Sequence, residues 1–143
     1  MADGLSTHLE KTARFLDRLR RWVEPRHDLR ALLVVGSAAR GDAGAESDVD
    51  VVLLATQPGR YVENVDWVSE LGVPESVAPE VYGNVTSVRA AYDNGLEVEY
   101  AIAAADWASE PFDAGTLEVA RNGMVILLDR DGHAARLAAA CLR

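Results

Sequence analysis

The chain has 143 residues, of which 14 are Lys or Arg and 23 are Asp or Glu, giving a formal net charge of −9. That length predicts one domain over residues 1–143, and 49% hydrophobic residues supply a core, which excludes wholesale disorder. The acidic balance excludes a charge-driven grip on long nucleic acid and a polybasic hold on a membrane surface, so any phosphate bound here is held locally.

Leu5, Leu9, Leu16, Leu19 and Val23 recur at mainly three- and four-residue intervals, which predicts a helix over 5–23 ended by Pro25. Ala31 to Val35 is a continuous apolar run stopped by Gly36, the pattern of a strand buried on both faces, and Val49 to Ala55 is a second. Arg60 to Leu71, with Val62, Val65, Trp67, Val68 and Leu71, reads as a helix, after which Pro74 and Pro79 predict loop. Val85 to Tyr92 and Leu96 to Ala103 read as a hairpin across Asp93-Asn94-Gly95, because Asn and Gly tolerate positive φ. Thr116 to Arg121 predicts a short helix closed by Asn122-Gly123, Met124 to Asp129 a strand, and His133 to Leu142 an Ala-rich helix. This order predicts a mixed sheet packed with helices, α/β or α+β.

Cys141 is the only cysteine, so neither a disulfide framework nor a Cys-based zinc site is expected. His8, His27 and His133 lack the close spacing of metal ligands and read as surface or structural residues. Trp22, Trp67 and Trp107 read as core, with a dimer contact as the other reading for Trp22 or Trp67. The first ten residues lack the apolar run of a signal peptide, and no stretch reaches membrane-spanning length, so the expected location is the cytoplasm.

Two short segments carry the chemistry. Val35-Gly36-Ser37-Ala38-Ala39-Arg40-Gly41 leaves a buried strand through a glycine and starts a helical turn. Such a junction offers unpaired N–H groups to an anion, and glycine allows close backbone approach; alone, it reads equally as a capped turn. In Ser47-Asp48-Val49-Asp50, the two aspartates are two apart on a strand and leave the same face. Neighbouring carboxylates at the mouth of an apolar strand repel each other, and a divalent cation supplies the missing charge. A hydrated Asp-x-Asp at a strand edge is the alternative.

Taken together, the Gly36-Ser37 turn and the Asp48-Val49-Asp50 pair that follows it resemble the signature of the polymerase-beta-like nucleotidyltransferase superfamily. More closely, the chain is similar to small single-domain bacterial nucleotidyltransferases related to aminoglycoside adenylyltransferases. Gly95-Leu96-Glu97-Val98-Glu99-Tyr100 and the strand from Gly123 to Asp129 fit the same relatives. The resemblance implies that Gly36 and Ser37 cradle the β- and γ-phosphates of a nucleoside triphosphate, with Arg40 and Ser47 also on the nucleotide. Arg40 then touches phosphate or braces the acidic loop, the alternative being a plain ion pair with Asp42 or Glu46. The resemblance further implies that Asp48 and Asp50 hold Mg²⁺, as two ions, and that a third carboxylate on a neighbouring strand completes the set and serves as base.

For that third acid there are two candidates. Glu97 and Glu99 alternate with Leu96, Val98, Tyr100 and Ile102, so both leave the face opposite those apolar residues. Glu99 is deeper in the strand and is the first choice. Glu97, nearer the Asn94-Gly95 turn, reads as a surface acid or as one lining an acceptor pocket. The implied reaction moves AMP from ATP to a hydroxyl of a small, aminoglycoside-like acceptor. One alternative is an antitoxin-type protein adenylyltransferase acting on a helical partner toxin. The other is a nucleotide-binding module without turnover, against which the intact Gly36, Ser37, Asp48 and Asp50 count.

Overall fold

A computed structural model describes residues 2–44 and 47–142. Its elements, in order, are α1 (Ala2–Val23), β1 (Leu29–Val35), α2 (Gly36–Arg40), β2 (Val49–Ala55), α3 (Gly59–Val62), a 3₁₀ turn (Asp66–Glu70), β3 (Pro74–Tyr82), β4 (Val85–Tyr92), β5 (Glu97–Ala104), a second 3₁₀ turn (Ala105–Ala108), α4 (Ala114–Arg121), β6 (Met124–Asp129) and α5 (His133–Cys141). The strands form one six-stranded mixed sheet in the order β3-β4-β5-β2-β1-β6. Only β2 and β5 run parallel; the other neighbours are antiparallel.

The apolar runs lie where burial on both faces demands them. In β1, Leu32 and Val34 join a core with Phe15, Leu19 and Val23 of α1, while Ala31 and Leu33 face a second core with Ala120 of α4 and Ala134 and Leu137 of α5. β2 divides in the same way, with Val51 and Leu53 on the first face and Val52 and Leu54 on the second. Each fully buried aliphatic side chain adds about 1.5–3 kcal/mol, so the two centre strands anchor the sheet from both sides. An aromatic group extends the first core: Trp22 stacks on Trp67 at 5.4 Å between centroids, and Trp67 meets Tyr100 edge-on at 4.8 Å. Both tryptophans therefore pack on the core, Trp67 buried and Trp22 partly so.

Two expectations are corrected. The segment expected as one helix over 60–71 is α3 followed by a separate 3₁₀ turn, because the Asn64 side chain accepts the Asp66 N–H and breaks the helical ladder. The expected loop at Pro74 and Pro79 is instead β3. It lies at the sheet's edge and pairs only with β4, and proline's missing N–H is tolerated at an edge. The hairpin forms where expected: the Tyr92 N–H donates to the Leu96 carbonyl, Leu96 N–H donates to Asn94 Oδ1, and Gly95 takes φ +91°. Among the described residues, no helix is long and apolar enough to cross a membrane.

Candidate active site

The sheet register builds the site. Val35 of β1 pairs with Asp50 of β2, Asp50 with Glu99 of β5, and Glu99 with Arg89 of β4. Adjacent strands are about 4.8 Å apart, so one row across four strands brings two carboxylates and a guanidinium side by side. Asp48 lies just before β2, and its carboxylate joins the row through Arg89. Arg89 Nη1 donates to Asp48 Oδ2 at 2.9 Å and Nη2 to Glu99 Oε2 at 3.1 Å. The Ser87 hydroxyl donates to the other Glu99 oxygen, Oε1, at 2.8 Å.

Gly36 closes this arrangement from the β1 side. It has φ +69°, and a β-carbon there would stand 2.7 Å from Asp50 Oδ2. The glycine thus lets the backbone turn in the left-handed region and leaves the space that the carboxylate fills. No side chain caps the start of α2. The Ser37 carbonyl accepts the N–H groups of Gly41 and Asp42, and among the described residues its hydroxyl makes no hydrogen bond.

Arg40 Nε donates to Asp42 Oδ2 at 3.0 Å and Nη1 to the Asn122 carbonyl at 2.9 Å. It therefore ties α2 to the end of α4. The alternative partner Glu46 lies outside the described residues. Ser47 Oγ accepts the Gly44 N–H at 2.7 Å, so its hydroxyl organises the loop before Asp48. A cleft of about 520 Å³ lies over the row, with Gly36, Asp50 and Glu99 on its polar wall and Val85, Trp107 and Val119 on its apolar one. Trp107 is the tryptophan at this cleft. Glu97 is exposed, whereas Glu99 is half-buried beside Asp50.

Electrostatics single out Asp50. Its carboxyl is pushed up to about 6, first by burial and then by the charge of Glu99 and a hydrogen bond shared with it. Arg89 works the other way but does not cancel the effect. Among the described residues no basic side chain pairs directly with Asp50. An acidic group that is crowded, half-buried and short of positive charge is a hard-oxygen donor set suited to Mg²⁺. Nevertheless, among the described residues no three carboxylate, imidazole or thiolate groups converge on one point as they stand. Asp48 and Glu99 are both engaged by Arg89 instead.

Arg89 and Ser87 were not singled out in the sequence, although the hairpin carries the signal. With Tyr92 opposite Leu96 across the turn, counting back places Ala91 opposite Glu97 and Arg89 opposite Glu99. Opposite charges at directly paired positions support each other.

A mixed sheet whose central strands present a glycine turn and paired carboxylates to one cleft is a nucleotidyltransferase architecture. The chain belongs to the nucleotidyltransferase domain family, which matches residues 14–94. That match takes in Gly36, Asp48, Asp50 and Arg89 and ends before Glu99, which joins them through the register of β2 and β5. Among solved structures, the chain is similar to an aminoglycoside 6-adenyltransferase from Bacillus subtilis at 13% identity and TM-score 0.53, covering 71% of this chain and 37% of that one. It is also similar to a GLD-2/RNP-8 complex structure at 19% identity and TM-score 0.52, covering 80% of this chain and 46% of the other. At these identities the likeness is one of fold, and the chain spans less than half the length of either. A sequence comparison with curated proteins finds no match.

Proposed function

We propose that this protein transfers a nucleoside monophosphate, AMP from ATP, to a hydroxyl on a small, aminoglycoside-like acceptor, in the cytoplasm. The observation that carries this reading is the placement of Asp50 and Glu99 in adjacent register at a cleft, with Gly36 making room for the Asp50 carboxylate. In this reading Asp48, Asp50 and Glu99 are the ligands of Mg²⁺, as two ions. Bound there, they would supply positive charge to the triphosphate as the acceptor oxygen displaces pyrophosphate at the α-phosphorus.

The chain's own groups supply the rest. Gly36 and Ser37 meet the triphosphate tail, where the turn is free of a side-chain cap and the Ser37 hydroxyl is available to a phosphate oxygen. Ser47 fixes the loop that delivers Asp48, and Arg40 braces that loop from α2 through Asp42. Glu99 takes the proton of the acceptor hydroxyl as it attacks. Val85, Trp107 and Val119 give the cleft an apolar wall for a flat base or the body of an acceptor. The acidic row and the net charge of −9 favour a cationic acceptor.

The test is transfer of label from each α-labelled nucleoside triphosphate, with Mg²⁺, to a panel of hydroxylated amines and to soluble protein. Label appearing on a small amine from ATP, and lost with EDTA, supports the reading. Label on protein alone moves the acceptor to a polypeptide hydroxyl, and no transfer from any nucleotide refutes the catalytic reading.

A further inference from the structure

We infer that Arg89 is a built-in counter-ion of the acidic row, competing with a divalent cation for Asp48 and Glu99; this rests on the reading that the row binds metal. One guanidinium reaches two carboxylates from two different elements, using a separate Nη for each, at 2.9 and 3.1 Å. The planar fork of arginine suits such a bridge, which a single ammonium cannot make with the same geometry. Among the described residues, no other basic side chain pairs with Asp48 or Glu99.

The charges favour the exchange. When ionised, Asp48, Asp50 and Glu99 carry three negative charges and Arg89 returns one positive charge. A divalent cation that takes the place of Arg89 therefore meets three negative charges, against two while the guanidinium stays. Release costs little packing: the Arg89 side chain is half-exposed, whereas its strand neighbours Val88 and Ala90 hold β4 in the core. Arg89 therefore keeps the acids gathered before metal arrives and swings to solvent as metal takes its place.

The test titrates Mn²⁺, without nucleotide, into wild-type protein, Arg89→Met, Arg89→Lys and Asp50→Asn, with free Mn²⁺ read by its EPR signal. Arg89→Met is expected to bind Mn²⁺ about three- to tenfold more tightly, given the modest strength of part-exposed ion pairs, with Arg89→Lys between it and wild type. Without metal, Arg89→Met should melt below wild type, and saturating Mn²⁺ should close the gap. Equal or weaker Mn²⁺ binding by Arg89→Met overturns the inference. If binding is lost in Asp50→Asn yet unchanged in Arg89→Met, the metal reading stands and the competition alone falls. If wild type binds no Mn²⁺, both fall.

Discussion

The Asp50 carboxylate lies against the backbone of Gly36: a β-carbon at position 36 would come within 2.7 Å of Asp50 Oδ2. The glycine thus serves the acidic row as well as the turn. Gly36→Ala should cost about 2–3 kcal/mol, part from the strained φ of +69° and part from the displaced carboxylate. In an Asp50→Ala background the second part disappears and the cost should fall to about 1 kcal/mol. Urea unfolding of the four proteins measures this coupling, and equal costs in both backgrounds would mean that the two groups do not meet.

Asp50 also gives stability a pH dependence of definite sign. Its carboxyl titrates near 6 when folded, against 3.8 as the ordinary value. Between those values the folded state holds the extra proton, so the contribution is full below about pH 3.8 and is lost as pH rises through 6. Asp50→Asn removes the titration. Above pH 6 the variant should be the more stable by about 1 kcal/mol, after allowance for solvent screening, with no advantage below pH 4. Mg²⁺ should stabilise wild type and not the variant. Thermal melts across that range check both, and a variant advantage that grows toward low pH would refute the assignment.

These relationships were legible in the sequence to different depths. β1 and β2 could be read because strands buried on both faces are continuously apolar, and the Asp93-Asn94-Gly95 turn marked its hairpin. β3 could not, because Pro74 and Pro79 break most elements and only the strand order reveals an edge where they are harmless. The same-face spacing of Asp48 and Asp50 was visible, but the proximity of Asp50 to Glu99 depends on a parallel register between strands far apart in sequence. Arg89 was within reach of the hairpin count, since that pairing is local.

Behind the site, the hydroxyls of Tyr92 and Tyr100 are 2.7 Å apart, and Tyr92 donates to the Val68 carbonyl at 3.0 Å. Tyr92 has one proton, so Tyr100 is the donor within the pair. Tyr100→Phe removes that donor and leaves Tyr92 satisfied, at a cost of about 1 kcal/mol. Tyr92→Phe strands the Tyr100 hydroxyl in the core, while the Val68 carbonyl keeps the Leu71 N–H, and should cost about 2 kcal/mol. Denaturant midpoints rank the two, and the reverse order would reverse the direction of the hydrogen bond.

Glu99 and Glu97 leave the same face of β5 but meet different surroundings. Glu99 is in register with Asp50 and held by Ser87 and Arg89, whereas Glu97 is exposed near the turn. Glu99→Gln keeps the shape and most of the hydrogen bonding but removes the charge and the base, so turnover should fall at least about a hundredfold with little change in stability. Glu97→Gln should leave kcat within about twofold, because a solvated acid outside the row has no reacting atom to act on; any effect falls on the KM of a cationic acceptor through its remote charge. Ser87→Ala separates position from chemistry. Losing the 2.8 Å hydrogen bond frees one Glu99 oxygen without removing the carboxylate, and support groups of this kind typically change metal affinity or rate by about tenfold. The three variants should therefore rank Glu99→Gln, Ser87→Ala, Glu97→Gln in order of decreasing damage to kcat. Damage from Glu97→Gln greater than that from Glu99→Gln would transfer the base to the turn-side acid, and an unimpaired Ser87→Ala would show that Arg89 and the strand alone hold Glu99.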